Sequence, residues 1–298
     1  MPAPPAAEWI PRLAHWSEAD GNVRLAILVG SQARTNRPAD AFSDIDVALF
    51  VRQPGLLLRE FAWVEKLGRP WTVHREPNGL GSGEEVRVLF EDGQDVDLAV
   101  FPFVGRGSLF LYYALKRLMR HPEEVVLRTP GAAEVLARGF RVLTNKDGIV
   151  MPTAVKAEPP KLPTSDEFAN LSNDYWFHLI WTAKKLRRGE LLTSLGATNG
   201  YLRVLLVQMV RWHALARSNR AVDVWHDARF FETWADPRAV RDFSRTVARY
   251  DRGSIADALR SGRDLFSWLA RDLGERMSFP PPVRDLDGVS GYLDHLLA

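Results

Sequence analysis

The sequence predicts an α+β protein: strands and helices together in the first half and helices alone in the second. Three observations predict it. Up to residue 150, short apolar runs that end in glycine or acidic residues alternate with helical periodicity. From residue 165 onward the periodicity is helical throughout. Between them, Asn145–Ser165 holds Pro152, Pro159, Pro160 and Pro163 without sustained periodicity and reads as a linker. The expected division is residues 1–150, a linker at 151–164, and residues 165–298.

The elements follow in order. Ala7–Glu18 reads as a helix, and Leu25–Val29 as a short buried strand ending at Gly30. Asp44–Val51 is a second strand. Val86–Phe90 and Val96–Phe101 form a hairpin joined by Glu91-Asp92-Gly93-Gln94, where Asp-Gly is the turn signal. Helices are expected over Leu109–Arg120 and Gly131–Leu143. Thr164, with Glu167 three residues on, forms a capping box that opens a helix running to Arg188. The next helix spans Thr198–Arg217, with Leu202, Leu205, Leu206, Met209 and His213 on one face. Three more fall near 226–235, 237–250 and 254–275, and a short one follows Pro280–Pro282. Trp9, Trp16, Trp63 and Trp71 are expected to pack, and His213 to be a core histidine.

Composition excludes several classes of function. The 298 residues contain no cysteine, which rules out disulfides, thiolate nucleophiles and cysteine-metal sites and suits a cytoplasmic location. No secretory signal is evident, and no apolar run approaches the ~20 residues of a membrane-spanning helix. The net charge of +2 is spread evenly along the chain, which makes a nucleic-acid partner unlike this sequence.

One constellation carries chemistry. Gly30 ends an apolar strand, so the backbone there can approach a ligand closely, and Ser31 adds a hydroxyl donor; such a turn can cradle phosphate oxygens. Asp44 and Asp46 are two apart on a strand and share a face. Like charges side by side repel, and a divalent cation with oxygen ligands relieves the repulsion. The apolar run Val47–Val51 puts the pair at the rim of a core. Asp97 interrupts Val96–Phe101, an otherwise buried strand, where a carboxylate needs a partner or a metal. Asp95, nearer the turn, is expected to be solvated.

Gly-Ser, then Asp-x-Asp, then a distant third aspartate resembles the nucleotidyltransferase fold superfamily. More closely, the chain resembles the streptomycin (aminoglycoside 6-) adenylyltransferase family. The closer likeness is carried by Gly30-Ser31 through Asp40-Ala41-Phe42-Ser43-Asp44-Ile45-Asp46, and by Leu89-Phe90-Glu91-Asp92-Gly93 with Val96-Asp97-Leu98. It continues through Asn173-Asp174-Tyr175-Trp176-Phe177, Lys184 and Glu190, then Asn199 to Trp212-His213. A looser likeness runs through Leu265–Leu269 and Pro280–Leu297.

The resemblance implies a nucleotidyltransferase catalytic domain over residues 1–150, built as a small mixed sheet with flanking helices, and a helical-bundle substrate-binding domain over 165–298. It implies transfer of AMP from Mg-ATP to a hydroxyl of a small molecule, an aminoglycoside of the streptomycin type, with release of pyrophosphate. By that likeness Asp44, Asp46 and Asp97 are catalytic residues and ligands of two Mg2+ ions, and Gly30 and Ser31 bind the nucleotide. Where the family usually has arginine after Gly-Ser this chain has Gln32, and Arg34 takes the basic role.

On the helix opened by Thr164, Asp174, Trp181 and Lys184 form one stripe. Asp174 and Lys184 are about 15 Å apart along the axis. Lys184 is thus expected to reach the triphosphate, and Asp174, with Trp181, the acceptor. Two alternatives keep part of this reading: the same chemistry on RNA, a protein or a non-aminoglycoside small molecule, and a module that binds nucleotide without catalysis. Retention of three aspartates argues against the latter. Oligomeric state is left open.

Overall fold

Trp9, Leu13 and Trp16 recur at helical spacing, Val23–Val29 is buried along most of its length and Ile45–Val51 alternates in burial; the patterns make a helix packed on a sheet. The structure, a computed structural model, describes residues 6–78, 83–103, 132–149, 151, 155 and 159–298. The chain divides into two units, Met1–Glu158 and Pro159–Ala298.

The first unit opens with helix α1 (Ala6–Ala19) and strand β1 (Val23–Val29). After β2 (Ile45–Val51) come a short helix α2 (Gly55–Leu58) and strands β3 (Pro70–Pro77), β4 (Glu84–Phe90) and β5 (Asp95–Pro102). Helix α3 (Ala132–Ala137) and strand β6 (Arg141–Asn145) complete its described elements. The sheet order is β3-β4-β5-β2-β1-β6. Only the central β2–β5 pair is parallel among the described pairings, so the sheet is mixed as expected.

One sheet face is closed by α1: Trp9, Leu13 and Trp16 pack with Ala26, Leu28, Val47, Leu49, Val86, Val88, Val96 and Leu98. The opposite face has a smaller core of Leu25, Ile27 and Leu136, flanked by Ala48, Phe50 and Phe140. That smaller core leaves the β4–β5–β2 end of the face for polar residues.

Several expectations need correction. The helix expected over Gly131–Leu143 ends at Ala137. Gly139 follows at φ +127°, a backbone that breaks helices, and Arg141–Asn145 then pairs antiparallel with β1. Edge strand β3 was not expected; Pro70 and Pro77 bound it, and its exposed side chains give no apolar alternation. Trp71 lies on that edge and is exposed, whereas Trp9, Trp16 and Trp63 are buried. The helix expected over Leu109–Arg120 falls outside the described residues.

The second unit is helical. Helix α4 (Ser165–Arg187) is opened by the expected capping box: Thr164 Oγ1 accepts from Glu167 N, and the Glu167 carboxylate accepts from Thr164 N. Helix α5 (Leu191–Gly196) passes through a π-helical turn, Ala197–Leu202, into α6 (Arg203–Arg217). Short helices α7 (Phe231–Trp234) and α8 (Pro237–Phe243) precede the long α9 (Arg252–Met277) and the final α10 (Leu286–Leu297). Their core joins α4, α6 and α9, with Tyr175 stacked on Phe266 at 3.8 Å between ring centroids.

Candidate functional site

At the end of β1 the chain turns through Gly30–Gln32, a single 3-10 turn. Gly30 has φ +68°, and a Cβ there would overlap the Asp46 carboxylate. Glycine is therefore needed twice, for the left-handed backbone and for room beside Asp46. Ser31 is buried, and its hydroxyl has no hydrogen-bond partner among the described residues. Buried hydroxyls are ordinarily paired, so an orphaned one in the turn whose Gly30 packs against Asp46 fits a ligand oxygen such as a phosphate.

The loop that follows is tied back at several points. Ala39 N donates to Ser31 O, and the Gln32 side-chain amide to Asp44 O. Asp40 accepts from Phe42 N and from the Ser43 hydroxyl. Buried Gln94, at the β4–β5 turn, donates through Nε2 to Ser43 O at 3.3 Å and to Asp95 O at 2.9 Å. These bonds take up the carbonyls of Ser43 and Asp44, and the ladder with β5 begins one residue later, at Ile45 opposite Val96. Asp44 thus stands just before β2, a correction to its expected place on the strand.

Strand register does the rest. Asp46 on β2 lies opposite Asp97 on β5, and Asp97 lies opposite Arg87 on β4. Asp44, Asp46 and Asp97 each offer a carboxylate oxygen, and these oxygens all lie within 4.8 Å of one another. All three residues are half-buried. An all-oxygen set of this size and charge fits a hard divalent cation such as Mg2+.

The electrostatics agree with that fit. Burial pushes the Asp97 carboxyl up to about 6, against the pull of Arg87, while Glu85, Asp44 and Asp95 add to the rise. Arg87 NH1 stands 3.4 Å from Asp97 Oδ2. Arg87 is itself held by Glu76 at 2.7 Å and by Glu85 at 2.7 Å. A cation among the aspartates would stabilise their charged forms, and an ionised Asp97 could then accept a proton. Asp95, by contrast, is exposed.

The remaining expected residues are placed as follows. Arg34 lies in the loop after Ser31 and donates from Nε to Arg37 O at 2.7 Å. In the helical unit, Asp174, Trp181 and Lys184 lie on α4 but engage different neighbours. Asp174 Oδ1 is 2.6 Å from His178 Nδ1, and Asp174 Oδ2 accepts from Tyr201 OH at 2.8 Å. His178 stacks obliquely on Tyr201 at 4.5 Å and meets Trp181 edge-on at 6.3 Å. Trp181 also has Lys185 Nζ 5.3 Å from its ring centroid, while Lys184 Nζ stands 5.5 Å from the ring of Tyr292 on α10. Helical spacing set the stripe, but the partners come from the π turn and from α10. His213 is a buried core histidine: Nε2 lies 2.9 Å from Asp272 Oδ2 without hydrogen-bond alignment, beside Trp268.

Sequence reasoning missed Arg87, Glu85, Gln94, His178 and Tyr201. A signal existed for His178, four residues after Asp174, a spacing at which side chains meet on a helix. None existed for Arg87, whose closeness to Asp97 depends on strand register.

Known proteins bear on this arrangement. A family model described as streptomycin adenylyltransferase matches residues 6–296. The chain is 22% identical over 284 residues to the aminoglycoside 6-adenylyltransferase of Bacillus subtilis (strain 168), covering 92% of each protein. It is 26% identical over 201 residues to the Staphylococcus aureus aminoglycoside 6-adenylyltransferase, covering 64% of this chain and 63% of that protein. Among solved structures, an aminoglycoside 6-adenyltransferase from Bacillus subtilis aligns over 97% of each chain at 20% identity, with a TM-score of 0.43.

Proposed function

Since the chain belongs to the streptomycin adenylyltransferase family, we propose that it transfers AMP from Mg-ATP to a hydroxyl of an aminoglycoside of the streptomycin type, releasing pyrophosphate. The observation that carries this is the convergence of Asp44, Asp46 and Asp97, with the Gly30 turn packed against Asp46.

In this proposal Asp44, Asp46 and Asp97 hold two Mg2+ ions. When bound, the metal neutralises charge on the phosphates and supports an in-line displacement at the α-phosphorus. Gly30 lets the backbone approach the nucleotide, and Ser31 donates its hydroxyl to a phosphate oxygen. Arg34 and Lys184 contribute positive charge toward the triphosphate. Asp97, kept ionised by the cation beside it, accepts the proton leaving the acceptor hydroxyl. The metal ligands thus all belong to Met1–Glu158, and Pro159–Ala298 is assigned the acceptor together with Lys184.

On the acceptor side we assign Asp174 and Trp181. Asp174 is kept in one orientation by His178 and Tyr201, so a hydroxyl or cationic group would meet a fixed carboxylate flanked by aromatic rings.

The test is incubation of the protein with each Mg-NTP and a panel of aminoglycosides, followed by mass spectrometry. The expected product is a streptomycin-type aminoglycoside heavier by one AMP, formed with ATP. Absence of any nucleotide-mass adduct across the panel would overturn the acceptor assignment.

A further inference from the structure

Arg87 lies in line with the candidate metal ligands without being one of them. Register sets Arg87, Asp97 and Asp46 side by side on β4, β5 and β2, giving a row of one cation and two anions across three strands. The guanidinium is anchored away from the aspartates, with Nε 2.7 Å from Glu76 and NH2 2.7 Å from Glu85. Its third contact, NH1 to Asp97 Oδ2, is the longest at 3.4 Å. Two short anchors and one long reach describe a group fixed by its glutamates and leaning toward Asp97.

That geometry has a charge consequence. Asp44, Asp46 and Asp97 crowd their oxygens within 4.8 Å, and Glu85 adds a nearby negative charge. Such a cluster would attract divalent cations strongly even without nucleotide. A guanidinium held against Asp97 opposes this in two ways. It occupies part of the coordinating capacity of Asp97, and it repels a dication entering beside it. Being an arginine, it stays charged under any working condition.

We propose that Arg87 is a resident counter-ion of the metal site, competing with divalent cations for Asp97 and so holding down metal capture by the nucleotide-free protein. The anionic triphosphate then offsets the Arg87 charge as it brings metal in. Arg87 touches neither nucleotide nor acceptor in this scheme. It acts through Asp97 and is a tuning residue of the site.

This rests on Asp44, Asp46 and Asp97 being metal ligands, and the experiment separates the two claims. Mn2+ is titrated into the full chain without nucleotide, and free Mn2+ is followed by its paramagnetic resonance signal. Arg87→Gln, which can still hydrogen-bond Glu76 and Glu85, should bind Mn2+ at least about tenfold more tightly than the parent. Arg87→Lys, which keeps the charge, should stay within about threefold of the parent. The gain from Arg87→Gln should vanish when Asp97→Asn is added. Unchanged or weaker Mn2+ binding in a folded Arg87→Gln overturns the counter-ion role. If that variant does not fold, Arg87→Met takes its place with the same expectation. Should Asp46→Asn bind Mn2+ as well as the parent does, the metal-site reading itself fails, whatever Arg87 does.

Discussion

Asp97 and Asp174 are both partly sheltered acids, yet they are compensated in opposite ways. Asp97 faces Asp44, Asp46 and Glu85, with one guanidinium 3.4 Å away. Asp174 accepts a hydrogen bond from Tyr201 OH at 2.8 Å and has His178 Nδ1 2.6 Å from its other oxygen. The first is an unbalanced cluster that gains by taking up a cation. The second is a closed local network whose charge is already oriented and partly satisfied. The contrast fits the proposed division between a site for chemistry and a site for recognition.

The strongest attempt to break that contrast is removal of the clustered charges. Asp44→Asn, Asp46→Asn and Asp97→Asn should each lower transfer by at least about a thousandfold. Their circular dichroism should match the parent's, because each change relieves repulsion and leaves the apolar core untouched. Near-normal turnover at saturating Mg2+ in any one of them would remove that residue from the ligand set.

A finer cut compares the two substrates. Asp174→Ala should reduce acceptor kcat/KM by about 10- to 150-fold through loss of one charge-assisted hydrogen bond. Ser31→Ala should instead raise the apparent constant for Mg-ATP by about tenfold while leaving that for the acceptor nearly unchanged. Losses that fall on the opposite substrate, measured by steady-state kinetics with each substrate varied in turn, would refute the division.

What the sequence disclosed depended on whether the relevant contact was local. The Asp-Gly turn of the β4–β5 hairpin and the capping box at Thr164 are short-range devices, and both formed where their residues indicated. The β2 strand was legible from its apolar run. β6 was not, because Val142 and Leu143 fit a helical pattern until Gly139 breaks it and β1 offers an edge. β3 was missed for want of alternation. In the site, the three aspartates could be read as residue types in order. The neighbours that tune them, Arg87 and Gln94, are set by pairing across strands and left no mark at any fixed spacing. Tyr201 was hidden likewise, since only the packing of two helices brings it to Asp174.

The smallest expected effect lies in the helical core. Burial holds His213 below its ordinary value of 6.5, with Asp272 pulling the other way. Because its folded-state value is depressed, the neutral ring is the stable form in the fold. Its contribution to stability is complete above pH 6.5 and is lost as pH falls from there through the folded-state value. Asp272, lowered chiefly by its bond to Arg276, loses its contribution only below its ordinary 3.8. Thermal melting of the parent should therefore shift down by a few degrees, about 2–4 °C per kcal/mol, between pH 7.5 and 5. In His213→Gln that slope should flatten, and an unaltered slope would place the pH sensitivity elsewhere.

The π-helical turn at Ala197–Leu202 has a consequence for how this surface could have arisen. A π turn holds one residue more than an α turn, an insertion absorbed within a continuous helix while the segments on either side keep their packing. Leu191–Gly196 and Arg203–Arg217 can stay seated on the core, and the surplus is pushed outward where Tyr201 meets Asp174. The Asp174–His178–Tyr201 network is thus open to change by a single codon gained or lost in this turn. Shortening this turn by one residue would restore plain α geometry and withdraw the tyrosine from Asp174, so this surface could drift through length as readily as through substitution.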